Sequence, residues 1–276
     1  MTIINHPDQW RSLIPVPKPD GHKYNRGHGV IVGGSVMTGA GCLAAEAMMR
    51  VGAGLCTIIS SPEAAAIYRS YAPYLLVEEI EEESDVSSHL IDARRNVIII
   101  GSGLADIEVE QLRKMVVAVL SLKRSTVIDA SALTAFEGCP DILFEQLHDK
   151  VVMTPHIGEF DSLFPDIKGD PLTKAQEAIS RMKLKGVLAL KGAETIICTS
   201  TREPVVNQHA SPYLASAGTG DVLAGMIGGL LAQGMPAFEA ANAAVWVHGE
   251  AGLRIGAGLV ASDVSGKIPE IMKEFI

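Results

Sequence analysis

Short aliphatic and β-branched runs recur along the chain: Val30–Val32, Thr57–Ile59, Val97–Ile100, Thr126–Ile128, Val151–Met153, Val187–Leu190 and Thr195–Ile197. A strand with one face in water alternates apolar and polar side chains, whereas a continuous apolar run fits a strand covered on both faces, as in parallel sheets. Between these runs lie longer stretches with helical spacing: Ala40–Arg50, Glu108–Leu122, Lys174–Lys183, Val222–Gln233 and Pro236–Leu253. Strands and helices alternating in this way predict an α/β chain, doubly wound, with a mostly parallel central sheet between two helical layers. No repeat of fixed period and no Pro/Ser/Gly-rich linker divides the sequence, so residues 1–276 are read as one domain.

Composition narrows the function classes. With 47% hydrophobic residues the chain can bury a substantial core. The balance of 23 basic against 32 acidic residues, a net charge of −9, excludes binding dominated by nucleic-acid phosphates and leaves room only for a local basic pocket. Cys42, Cys56, Cys139 and Cys198 form no C-x-x-C pair and lie in or beside apolar stretches, which indicates neither a zinc site nor a disulfide framework. Reduced thiols and an N-terminus without the basic and apolar regions of a signal peptide point to the cytoplasm. The longest charge-free stretch, Gly27 to Ala45, is broken by Gly33, Gly34, Gly39 and Gly41 and makes a poor membrane span. The acidic run Val77 to Asp85 reads as a solvated loop or helix face, because consecutive acids cannot all face one ion.

An open parallel sheet binds its ligand at the C-terminal strand ends, and the chemically distinctive segments fall there. After Val30–Val32 comes GGSVMTGAG, Gly33 to Gly41, whose glycines either let backbone approach a ligand at a helix N-terminus or serve a tight turn alone. A second glycine turn, Gly101 to Asp106, follows Val97–Ile100, and Asp129 stands at the tip of the next strand, where it contacts a ligand or fixes its own loop. Val151–Met153 runs into TPHIGEF, which carries His156 and Glu159, a polar pair suited to holding a substrate, with the acid free to serve a water or metal ion. The second histidine of a zinc H-E-x-x-H pattern is missing. Lys191 follows Val187–Leu190 beside Gly192 and suits a phosphate; as a surface turn it would have no such role. Nowhere does G-x-x-x-x-G-K-[ST] occur, so a nucleotide would bind without a Walker-type loop. In AGTGD the amides of Ala217, Gly218, Thr219 and Gly220 can cradle an anion at the mouth of a helix expected to begin near Asp221. Asp221, kept ionised by that helix, either accepts a proton from a substrate hydroxyl or acts as a plain N-cap.

Taken in order, these segments resemble the ribokinase-like fold, and within it the ADP-dependent NAD(P)H-hydrate dehydratase family. The resemblance runs from HKYNRGHGVIVGGS to AVWVHGEAG, nearly the whole chain after about residue 20. It implies a three-layer α/β/α sandwich and repair of the hydrated cofactors NADHX and NADPHX: ADP-dependent dehydration of the S-epimer to NAD(P)H, giving AMP and phosphate. Residue by residue, it implies that Ala40, Gly103, His156 and Asp221 meet the hydrated dinucleotide. Lys191, Gly192, Ala193, Glu194, Thr195 and Gly220 would hold the adenine nucleotide, and Asp221 would be the catalytic base. It further implies ADP as phosphoryl donor, Mg²⁺ and a homotetramer, with no metal ligand assigned. Where many relatives have G-P-G, this chain has Gly101-Ser102-Gly103, which keeps the turn with less rigidity. Ser131 replaces the second acid of D-A-D-A-L, which removes the basis for a catalytic or metal role at that position. The epimerase domain that many bacterial members carry has no counterpart in 276 residues. The competing expectation is an ATP-dependent kinase of a vitamin-precursor or sugar-like alcohol, since fold and GTGD element fit it equally. A non-catalytic nucleotide sensor would require a degraded cradle or acid, and both are intact.

Overall fold

The computed structural model describes residues 2–81, 86–182 and 186–276. Its strands are β1 (Ile3–Ile4), β2 (His28–Val32), β3 (Leu55–Ser60), β4 (Leu76–Glu79), β5 (Arg95–Ile100), β6 (Ser125–Ile128), β7 (Val151–Met153), β8 (Val187–Leu190), β9 (Thr195–Thr199) and β10 (Arg202–Asn207). They form one sheet in the order β1-β10-β9-β8-β7-β6-β5-β2-β3-β4. Among the described residues only β9 runs against its neighbours, β8 and β10; every other pairing is parallel. The helices are α1 (Thr38–Arg50), α2 (Pro62–Tyr71), α3 (Val86–His89), α4 (Val109–Ser121), α5 (Ser131–Thr134), α6 (Pro140–Phe144), α7 (Ile157–Leu163), α8 (Pro171–Met182), α9 (Thr219–Ala232), α10 (Ala237–Ile255) and α11 (Ala261–Met272).

Both faces of the sheet are covered, which is why the strands read as unbroken apolar runs. Along β5, Val97 and Ile99 face a core shared with α1, α2, α9, α10 and α11, while Ile98 and Ile100 face one shared with α3 to α8. This is the expected three-layer sandwich. Helix α9 is buried along almost its whole length, and its glycines let it press against α1: a Cβ at Gly225 would lie 2.2 Å from the Ala44 carbonyl oxygen. The sheet order reverses at β2, which has β3 on one side and β5 on the other. Such a switch point opens a crevice beyond the C-terminal strand ends.

Several boundaries and one environment differ from the sequence reading. Val77–Glu79 is neither loop nor helix but part of the edge strand β4, where Glu78 is held by Arg95 and by His89 at 2.9 Å. The acids are accommodated because an edge strand lets them turn outward to cations. Glu82 to Asp85, the rest of that run, and Lys183, the expected end of α8, lie outside the described residues. Helix α9 begins at Thr219, two residues before Asp221, with Gly218 as its N-cap in the left-handed region at φ +88°.

Candidate active site

Five strand ends and one helix mouth meet on the same rim. The turn after β5 is locked in place by its glycines. Gly101 has φ +122°, and a Cβ there would sit 1.7 Å from the Asp129 carbonyl oxygen; Gly103 has φ +79°. The would-be Cβ of Gly103 also lies 3.2 Å from the Ala40 Cβ, so the first turn of α1 and the β5 turn touch. Ala40 and Gly103 are thus brought together. At the tip of β6, Asp129 is followed by Ala130 at φ +48°, a strained conformation for a residue with a Cβ.

Asp129 is 2% exposed and anchors a polar network. Its Oδ1 accepts from Thr154 Oγ1 at 2.7 Å and from Lys191 Nζ at 2.7 Å. Lys191 Nζ also lies 3.9 Å from Glu159 Oε2. The β7 and β8 ends are tied by the Lys191 amide, which donates to the Pro155 carbonyl at 2.7 Å. His156 and Glu159 turn out to form the reciprocal cap of α7. The His156 amide donates to Glu159 Oε2 at 2.8 Å, and His156 Nδ1 accepts from the amides of Gly158 (2.9 Å) and Glu159 (3.2 Å). With Nδ1 an acceptor, Nε2 is the ring's donor, and it lies 3.4 Å from Glu159 Oε1.

At the mouth of α9, the amides of Ala217, Gly218, Gly220 and Asp221 donate to no acceptor among the described residues. They stand where the helix dipole adds its positive end. The Thr219 hydroxyl is not part of that donor set, because it is directed at the carbonyls of Leu214 (2.7 Å) and Ser216 (2.8 Å). His248 on α10 donates from Nε2 to the Thr219 carbonyl at 2.9 Å and so pins the first turn from behind. Burial carries the His248 imidazole down to about 4, so it is neutral at physiological pH.

A cavity of about 830 Å³ opens beside this mouth. Its walls include His156, Lys191, Gly192, Ala193, Thr195 and Gly220, with Leu223 and Val245 as an apolar floor. Glu194 is not among them; its carboxylate accepts from Gln208 at 2.9 Å instead. Nor is Gly218, which faces Leu43 and Ala261. Asp221 stands apart from the cavity walls and faces Ser102, Asp129, Lys191 and Glu159. Burial raises its carboxyl above the ordinary aspartate range; Ser102 and Lys191 oppose the rise, while Asp129 and Glu159 add to it. The helix N-terminus favours the ionised form of this acid, and burial works against it. Glu159 is raised as well, first by burial, with Lys191 opposing.

Sequence reasoning passed over His248 and treated Ser102 as a turn residue only. His248 falls one helical turn from Val245 on the face of α10 that meets the cavity, a spacing visible in VWVHG. No signal in the sequence shows that Ser102 is buried beside Asp221.

The family described as NAD(P)H-hydrate dehydratase has a sequence model that matches residues 28–272. The chain is 32% identical to an ADP-dependent (S)-NAD(P)H-hydrate dehydratase of Enterococcus faecalis, over 97% of this chain and 92% of that one. A ribokinase-like superfamily protein of known structure, also from Enterococcus faecalis, superposes with a TM-score of 0.85 at 28% identity, covering 99% and 96% of the two chains. An ADP/ATP-dependent NAD(P)H-hydrate dehydratase of Bacillus subtilis, co-crystallised with ATP and Mg²⁺, shares the fold with a TM-score of 0.84 at 24% identity over 99% of each chain. The chain spans about half the length of bifunctional NAD(P)H-hydrate repair enzymes that it also matches at about one-third identity.

Proposed function

This chain belongs to the NAD(P)H-hydrate dehydratase family, and on that footing we propose that it returns the S-epimer of NADHX or NADPHX to NAD(P)H, converting ADP to AMP and phosphate. The observation that carries this reading is the division of labour at the mouth of α9. The unpaired Gly220 amide borders a nucleotide-sized cavity, and one half-buried carboxyl, Asp221, stands beside it.

In this reading the ADP phosphates lie over the Gly220 and Asp221 amides with Lys191 as a nearby point charge, and the adenosine enters the cavity over Leu223 and Val245. The hydrated nicotinamide ring lies against Ala40 and Gly103, and the exposed His156 ring borders it from the α7 cap. Asp221 removes the proton of the ring hydroxyl as the oxygen attacks the terminal phosphorus, and AMP departs. The C–O bond then breaks with phosphate as the leaving group, driven by the ring nitrogen's lone pair. Loss of the adjacent ring proton restores the dihydronicotinamide. Raising the Asp221 carboxyl strengthens it as a proton acceptor.

Mg²⁺ would neutralise phosphate charge when bound. Among the described residues no three His, Cys, Asp or Glu side chains are arranged to hold a metal ion; the Glu159 carboxyl would offer such an ion a hard oxygen donor beside the nucleotide phosphates. Assembly as a tetramer is supported by exposed apolar side chains on and beside α2, namely Ile67, Tyr71 and Tyr74. A cytoplasmic setting is supported by four unpaired cysteines, with Cys56 and Cys198 pushed by burial up to about 12. No helix among the described residues is long and apolar enough to cross a membrane.

Incubation with the S-epimer of NADPHX and ADP tests the reading. Recovery of dihydronicotinamide absorbance with one AMP and one phosphate per turnover is expected. Accumulation of a stable phosphorylated alcohol would instead identify a kinase.

A further inference from the structure

The turn between β5 and α4 holds a hydroxyl that the fold itself does not use. Ser102 is 1% exposed; its Oγ makes no close hydrogen bond among the described residues, yet it stands near enough to the Asp221 carboxyl to favour that group's charged form. A buried hydroxyl without a partner is costly, so it persists where it serves something other than packing. Its position is fixed from both sides. Gly101 is pressed against the Asp129 carbonyl, and the Gly103 carbonyl lies 1.9 Å from where a Gly34 Cβ would be, which leaves the turn no latitude to shift. Ser102 lies beside the Asp221 carboxyl.

We propose that the Ser102 hydroxyl is a positioning group for Asp221, donating to one carboxylate oxygen and leaving the other to take the proton of the substrate hydroxyl. The inference rests on Asp221 acting as the base in the reaction proposed above. Hydrogen bonds of this kind tighten when the substrate arrives. The charged groups that face Asp221 come from three other elements: Asp129 at the end of β6, Lys191 at the end of β8 and Glu159 on α7. Asp129 and Glu159 disfavour its ionised form, Lys191 supports it, and none of the three is altered by a change at position 102. A hydroxyl that donates to the carboxylate stabilises the charged form, so its removal makes the base harder to ionise.

The test is the pH dependence of kcat/KM for NADPHX with ADP, measured for the unaltered protein, Ser102→Ala and Ser102→Thr, with ADP affinity as the check on folding. Ser102→Ala should keep its ADP affinity and lose about tenfold in kcat/KM on the acid side of the profile, recovering toward the unaltered protein at alkaline pH. Ser102→Thr, which keeps the donor, should return the acid limb to its original position. An alanine profile that superposes on the original overturns the proposal. So does a loss that is equal at every pH, as a purely structural role would give, or a threonine profile that stays displaced. Failure of the underlying reading is distinguishable, because the unaltered protein would then form no NADPH from the hydrate.

Discussion

Burial works against the charged form of both Asp221 and His248 in this site. The carboxyl of Asp221 sits in the first turn of α9, where backbone amides favour an anion, yet burial raises it. His248 lies behind the same turn and is driven toward its neutral form. The histidine has a consequence for stability. Between its ordinary value of 6.5 and about 4, the unfolded chain takes up a proton that the folded chain refuses, so stability must fall as pH falls through that window. Below it both states are protonated and this contribution is constant. Replacing His248 by Gln should flatten the decline in melting temperature between those pH values; an unchanged slope would show that His248 is not buried in its neutral form. Asp129, His156 and Lys191 were legible as candidates because each follows an apolar run at a strand end, and Asp221 because it follows a glycine turn. The way they pair was not. Lys191 reaches Asp129 across 62 positions, and the His156–Glu159 spacing that read as a substrate clamp is also an N-terminal cap.

At the level of elements, two glycines of α9's mouth have different duties. Gly218 needs its positive φ, and an added Cβ would come within 2.6 Å of Leu43. A Cβ at Gly220 would meet only the Lys191 ammonium, at an ordinary 3.6 Å. Gly218→Ala should therefore lower unfolding stability by about 1–3 kcal/mol. Gly220→Ala should change stability by no more than about 0.5 kcal/mol while weakening ADP binding about tenfold, since the methyl group would stand over the amides proposed to receive phosphate. Chemical denaturation and calorimetric titration of both variants check the pair, and equal destabilisation with unchanged ADP affinity would refute it. Seven strands were legible because each is an apolar run buried on both faces. Those missed lack that signature. β1 has only two residues, β4 carries acids at the sheet edge, and β10 includes Pro204 with a register shift between Arg202 and Val205. The short helices α5 to α7 were missed because four to seven residues establish no periodicity.

The whole molecule converts one topological fact into a site. Because the sheet reverses direction at β2, the loops after β2, β5, β6, β7 and β8 converge on one rim, and α9, packed across the sheet, delivers its N-terminus there. Helix and strand periodicity made the three layers legible, whereas strand order depends on long-range pairing that no local pattern encodes. Against the net charge of −9, the free amides at the mouth of α9 supply a local positive end, while the Lys191 charge is shared with Asp129 and Glu159. The central claim is that this rim presents one ionised acid to the hydroxyl that leaves. Its most direct measurement is the turnover of Asp221→Asn with NADPHX and ADP, alongside ADP affinity. Turnover should fall by about 10²- to 10⁴-fold with ADP still bound; an asparagine variant that repairs the hydrate at the original rate would contradict it.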